Sequence, residues 1–202
     1  MKTKKMRSLL CLALTALMLL LPACSQEEKE DAPEEGLLPI SVNGKEIRVG
    51  ETTVQTLLDE GLDVSWVDEN YERITVDPTM QLEPKSYYTG GSIKVTDRMS
   101  FSISFATEDE AVTLGEAVIA RLELNMAAED DKDVLKNISF DGTPVTEWTQ
   151  AKAAERYPDW TGNEVMWLHY GLDYKYDLNF DMATGQMRGF KVTRVYEVDC
   201  NG

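Results

Sequence analysis

Three stretches of alternating side chains constrain this chain more than any other feature. Met99, Phe101, Ile103 and Phe105 alternate with Ser100, Ser102 and Ser104. Val118, Ala120, Leu122, Leu124 and Met126 alternate with Ile119, Arg121, Glu123 and Asn125. Leu172, Tyr174, Tyr176, Leu178 and Phe180 alternate with Asp173, Lys175, Asp177 and Asn179. Successive side chains of a strand point to opposite faces, so each stretch lays one apolar face on a core and gives the other to water. Strands of a buried parallel sheet would be apolar throughout, so this pattern predicts an antiparallel sheet with one wet face. Asp181-Met-Ala-Thr-Gly185 reads as a hairpin connection, with Gly185 free to take a positive φ, and it leads into a long strand over about 187–198. Thr89-Gly-Gly-Ser92 reads as a turn between strands.

Two segments carry helical signals. Thr52 stands as a cap with Gln55 three residues on, then Val54, Leu57 and Leu58 form an apolar stripe and Gly61 a stop. The second helix is predicted to start with Thr143 as cap and Pro144 at its first position. It then passes through Val145, Trp148, Ala151 and Ala154 to Tyr157, where Pro158 ends it. Ile40-Ser-Val-Asn-Gly44 echoes Ile138-Ser-Phe-Asp-Gly142, and each precedes a helix and then several strands. The expected fold is therefore α+β: an antiparallel sheet with one or two helices packed on one face. A tandem pair of strand–helix–multistrand units, 37–126 and 127–202, and a chance match of turn chemistry both account for the echo.

The amino-terminal residues 1–23 read as a signal peptide. Lys2, Lys4, Lys5 and Arg7 precede an apolar run over residues 9–21. Those 13 residues make roughly 20 Å of helix, too short for a ~30 Å hydrocarbon core. The run ends in Leu21-Pro22-Ala23-Cys24, which resembles the lipobox of bacterial lipoproteins, with Pro22 a less usual second residue. The resemblance implies that Cys24 is acylated and the peptide cut just before it; a plain signal peptide cut near Ala23 is the alternative. Residues 24–36 then form a lipidated acidic tether, with six acids against one base and no apolar periodicity over 25–36. With Cys11 lost and Cys24 acylated, Cys200 would be a lone thiol near the carboxyl end.

Charge and composition exclude several functions. The chain carries 20 Lys and Arg against 36 Asp and Glu, a net −16 that becomes −20 once the signal peptide is gone. A nucleic-acid partner is excluded on that balance, since phosphate binding needs cations. His169 is the one histidine, in Trp167-Leu-His-Tyr170, and reads as structural or half-exposed rather than as a general base. No metal site and no cofactor are expected: zinc lacks ligands, and there is no phosphate-binding glycine loop. Glu108-Asp-Glu110 and Glu129-Asp-Asp-Lys-Asp133 lack the spacing of a calcium loop. Acidic side chains are so common here that adjacent carboxylates identify nothing. Asn137-Ile-Ser139 matches a glycosylation sequon that a bacterial lipoprotein would not use.

Aromatic residues give the one positive signal. Trp148, Trp160, Trp167, Tyr170 and Tyr174 concentrate in one stretch and are the candidate binding surface for a protein or glycan partner, with Tyr87-Tyr88 a smaller case. Packing beneath the second helix explains the same density.

Val42-Asn-Gly-Lys45, Val54-x-x-Leu-Leu58 and Gly61 resemble uncharacterised lipoproteins of Gram-positive bacteria. Arg156-Tyr-Pro-Asp159 followed by strands and Asp181-x-x-Thr-Gly185 is loosely similar to PepSY modules, and the tandem arrangement resembles β-lactamase inhibitory proteins. These resemblances imply small α+β modules for binding or inhibition, and no functional residue beyond acylated Cys24. The expectation is thus a non-catalytic binding protein, lipid-anchored outside the cytoplasm and touching the membrane through that anchor. A carboxylate-dependent envelope hydrolase is the alternative.

Overall fold

A computed structural model describes residues 37–67, 72–127, 132–170 and 173–197. The residues expected to form a signal peptide and tether, Cys24 among them, lie outside the described residues, as do Leu172, Cys200 and most of the 129–133 acidic loop.

The body is an α+β fold dominated by antiparallel strands. Its first half runs β1 (Ile40–Val42), β2 (Lys45–Ile47), α1 (Val54–Asp59), β3 (Asp63–Val67), β4 (Arg73–Thr75), β5 (Gln81–Leu82), β6 (Tyr87–Lys94), β7 (Ser100–Ala106), β8 (Val112–Thr113) and β9 (Val118–Asn125). Its second half runs α2 (Lys132–Leu135), β10 (Ile138–Phe140), β11 (Thr143–Pro144), a 3₁₀ turn at Val145–Glu147, α3 (Gln150–Arg156), β12 (Thr161–Gly162), β13 (Val165–Tyr170), β14 (Tyr174–Phe180) and β15 (Met187–Arg194). Nine strands form one sheet in the order β12-β13-β14-β15-β9-β7-β6-β3-β4. The strands of the two halves meet where β15 pairs with β9.

The echoed segments turn out to be hairpins that pair with each other. Asn43 and Gly44, like Asp141 and Gly142, take positive φ in the two-residue turns, which suits the right-handed twist of a hairpin. Strand β1 then lies antiparallel to β10, Ser41 opposite Ser139 with their hydroxyls 2.7 Å apart, in a four-stranded sheet ordered β11-β10-β1-β2. Ile40, Val42, Ile47, Ile138 and Phe140 point into the core, where Phe140 meets Tyr176 and Phe190 of the large sheet. The small sheet and the apolar sides of the helices cover one face of the large sheet, as the alternation requires. Phe101, Ile103, Phe105, Leu122, Leu124, Tyr176, Leu178 and Phe180 supply the other side of that core.

Local details differ from the sequence expectations. The first helix is capped by Thr53, whose hydroxyl accepts from the Thr56 N–H, while Thr52 accepts from Arg48 N–H at 2.8 Å. Gln55 donates forward to Asp59 instead of back to the cap. The second helix starts at Gln150, capped by Thr149, not at Thr143. Thr143 and Pro144 pair with β10, and the Trp148 backbone is extended so that its carbonyl accepts from Met187 N–H at 3.1 Å. Sheet hydrogen bonds at both ends thus outcompete the helical turn that Pro144 would have opened. Thr89-Gly-Gly-Ser92 is not a turn but a bulge inside β6, with Gly90 at φ +89°.

Candidate functional site

Register aligns one residue from every strand into a row across the uncovered face of the large sheet: Thr161, Trp167, Asp177, Lys191, Glu123, Ser102, Ser92, Ser65 and Thr75. Only Trp167 in that row is apolar, and it is 46% exposed. A second row runs His169, Lys175, Thr193, Arg121 and Ser104. Cross-strand neighbours sit close enough to interact, so the rows form one connected surface. Lys191 pairs with Asp177, and Arg121 with Glu123, which also accepts from Asn125 Nδ2 at 3.0 Å. Arg73 reaches over β3 to donate from Nη1 to Ser65 Oγ at 2.8 Å and to Ser92 Oγ.

Within the acidic body these two rows carry more cations than acids. The rows and Arg73 bring Arg73, Arg121, Lys175 and Lys191 together against Glu123 and Asp177. Burial of Glu123 opposes its ionisation, but hydrogen bonds from Asn125 and Arg121 and the charges of Arg121 and Lys191 win and hold its carboxyl below the ordinary glutamate value. Because the folded value is depressed, this carboxylate contributes stability that is present above the unfolded value near 4.5 and is lost as pH falls through the folded value. Glu123→Gln is accordingly expected to lower the urea midpoint at pH 7 and to flatten its decline on acidification between pH 4.5 and the folded value. Identical pH profiles for the two proteins would refute that assignment.

The aromatic candidates separate. Trp167 stands on the open face. Trp148 is 1% exposed and belongs to the core: its indole N–H donates to the Phe140 carbonyl at 3.0 Å and its ring stacks on Tyr157. Trp160 is half-buried against the core. Tyr170 and Tyr174 lie at the covered side, Tyr170 edge-on to Tyr176 and Tyr174 beneath the Arg194 guanidinium. Nearby, Asp141 accepts from the Tyr157 hydroxyl at 2.8 Å and from Arg156 Nε at 3.1 Å. Burial and the Asp141 charge together push the Tyr157 hydroxyl pKa upward. The five candidates therefore do not form one surface. Tyr87 is partly exposed, while the Tyr88 hydroxyl accepts from Glu83 N–H at 2.8 Å.

His169 is exposed on β13 opposite Lys175. Among the described residues no three His, Cys, Asp or Glu side chains gather as a metal site requires, and no helix is long and apolar enough to cross a membrane. Two hollows matter chemically. One of about 470 Å³ is lined by Met126, Leu135, Val145 and Met187, and its Arg188 faces Asp181 at 3.8 Å. The other, of about 260 Å³, opens on the polar face at the Thr89–Gly90 bulge between Arg73 and Arg121. Bulges re-aim side chains and interrupt pairing, which makes the recess. The alternation at 99–105 had marked the serine side of β7 as wet; nothing in the sequence marked Arg73, which sits in a three-residue strand. No family model matches the chain, and no curated protein or solved structure shows a significant similarity to it.

Proposed function

We propose that this chain is a lipid-anchored, extracytoplasmic binding protein of the bacterial envelope, without a reaction of its own, which meets its ligand through the uncovered face of the nine-stranded sheet. The observation that carries the reading is the row of polar residues, with Trp167 near one end, that runs through all nine strands on the face opposite the core. A broad, rigid antiparallel face with paired charges suits recognition, because its side chains are held in register by the strands beneath them. Leu37 and Leu38, where the tether would join the body, are fixed on the covered side, with Leu38 N–H bonded to the Tyr176 hydroxyl at 3.0 Å.

The non-catalytic part of the reading rests on the sequence, in which His169 is the one imidazole and no nucleophile–base pair is evident. Acyl chains on Cys24, at ~0.8 kcal/mol per buried methylene, would make release from the bilayer negligible.

Replacing Cys24 with serine is expected to move the protein from the membrane pellet to the soluble fraction; unchanged sedimentation would remove the anchor. A photo-crosslinking amino acid at Trp167 is expected to trap an envelope component, while one at exposed Glu155 on α3 should not. Equal trapping at both positions, or turnover of a wall polymer abolished by Glu123→Gln, would overturn the binding reading.

A further inference from the structure

We propose that the hollow between Arg73 and Arg121 binds a phosphate-type oxyanion, either the free ion or the phosphate group of an ester. The proposal rests on the reading of the uncovered sheet face as the recognition surface, and it names the chemistry that one part of that face accepts.

Three features carry it. First, among the described residues Arg73 has no carboxylate partner, in a chain with 36 acids to 20 bases. Its Nη1 is instead fixed on the hydroxyls of Ser65 and Ser92, which are themselves 3.0 Å apart. Arginine presents five N–H donors in a rigid fork, so a guanidinium steered by one nitrogen keeps the rest for an acceptor. Second, Arg121 stands on the far wall, bonded through Nη2 to Glu123, so a second guanidinium lines the same hollow. Third, four hydroxyl residues, Thr89, Ser92, Ser102 and Ser104, are among those that line the hollow between the arginines.

This donor set selects its ligand. Two guanidinium groups repel a metal ion. Donors reach the hollow from β4 and β9 on two sides and from β7 below, which fits a tetrahedral oxyanion better than a planar carboxylate. Long-range attraction cannot supply the affinity, because the chain without residues 1–23, net −20, repels anions wherever screening, with a length of ~8 Å at physiological salt, does not hide it. Direct contacts must therefore hold the anion, and binding should be modest and selective.

The test is calorimetric titration of the full chain with inorganic phosphate, dimethyl phosphate and acetate at matched ionic strength. Saturable binding of phosphate, of the diester or of both is expected, with acetate weaker. Phosphate alone would indicate a free-ion site, and diester binding a site for an esterified group. Arg73→Gln and Arg121→Gln should each weaken binding by about tenfold or more, as expected for lost charge-assisted hydrogen bonds. Lys45→Gln, the same charge change on the small sheet, should leave it unchanged. Ser102 is exposed and lies opposite Glu123, so Ser102→Asp, confirmed folded by circular dichroism, should abolish binding by adding a second carboxylate beside the floor. No saturable binding of either phosphate probe, full affinity in both arginine variants, or equal affinity for acetate would overturn the proposal. Crosslinking at Trp167 that survives such a failure would leave the recognition face standing without an oxyanion site. Phosphate binding without crosslinking would do the reverse.

Discussion

Replacing Trp148 with alanine is expected to lower the unfolding free energy by about 3–5 kcal/mol, the range for removing a large buried aromatic. The side chain is 1% exposed and lies between Phe140, edge-on at 6.0 Å, and Tyr157, stacked at 5.8 Å. Each such ring pair adds about 0.5–1.5 kcal/mol beyond the area it buries. The indole N–H is also the partner of the Phe140 carbonyl, and leaving that acceptor alone costs about 1–3 kcal/mol. These contributions overlap, so they do not sum; the cavity value sets the scale. Trp148→Phe should lose roughly half as much, because the ring contacts survive while the hydrogen bond does not. Urea unfolding monitored by circular dichroism reads the change as a shift of midpoint at constant slope. Trp167→Ala is the counterpart. Its ring is 46% exposed on the open face, so the stability change should stay within about 0.5 kcal/mol while crosslinking or ligand binding suffers. A Trp148→Ala protein of unchanged midpoint would place that ring outside the core.

The contrast between these two tryptophans shows why part of the molecule was legible in sequence and part was not. Alternation at 99–105, 118–126 and 174–180 sorts side chains by face without any knowledge of partners, because the period of a strand is a local property. That suffices to put Phe101, Ile103 and Phe105 inside and Ser100 and Ser102 outside. Ser104 and Ile119 escape the rule: both are buried, at and beside the points where β6 and β9 shift register against β7. Aromatic density between residues 148 and 176 carries no such local signature, since a tryptophan packs in a core or on a surface with the same neighbours in sequence. Pro144 misleads for a related reason. It is compatible with a helix start and with an edge strand, and pairing with β10 decides for the strand. The row from Thr161 to Thr75 is a product of register between strands as far apart in sequence as β3 and β15. No inspection of single segments brings Arg73 and Arg121 to one hollow, because their shared site exists only once β3, β6 and β7 are laid between them.

Register also governs the second large effect, expected at Gly189. This residue lies on β15 opposite Asn125 of β9, at the seam where the strands of the two halves join. A Cβ built there would stand 2.2 Å from the Leu124 carbonyl oxygen and 3.3 Å from the Asn125 Cα. Both obstacles are backbone, and β9 is paired on its other side with β7, so it cannot retreat without breaking a second ladder. Nor can β15 simply slide: its pairing with β14 already shifts beside this point, at Asn179 and Phe180. A one-residue slip would turn Phe190 and Val192, both buried, out to the polar face. The strands must instead part locally, losing two or three ladder hydrogen bonds at about 0.5–1.5 kcal/mol each together with the packing around them. Gly189→Ala should therefore cost about 3 kcal/mol or more. Gly185→Ala is the control for conformation without crowding: φ is +70° and a Cβ there would meet nothing within 4 Å. It should cost only about 1–2 kcal/mol, the ordinary penalty of a left-handed alanine. Thermal unfolding of the two variants side by side measures the difference. If Gly189→Ala were no worse than Gly185→Ala, the close approach of β15 to β9 would be wrong, and with it the register that places Lys191 beside Glu123 on the proposed recognition face.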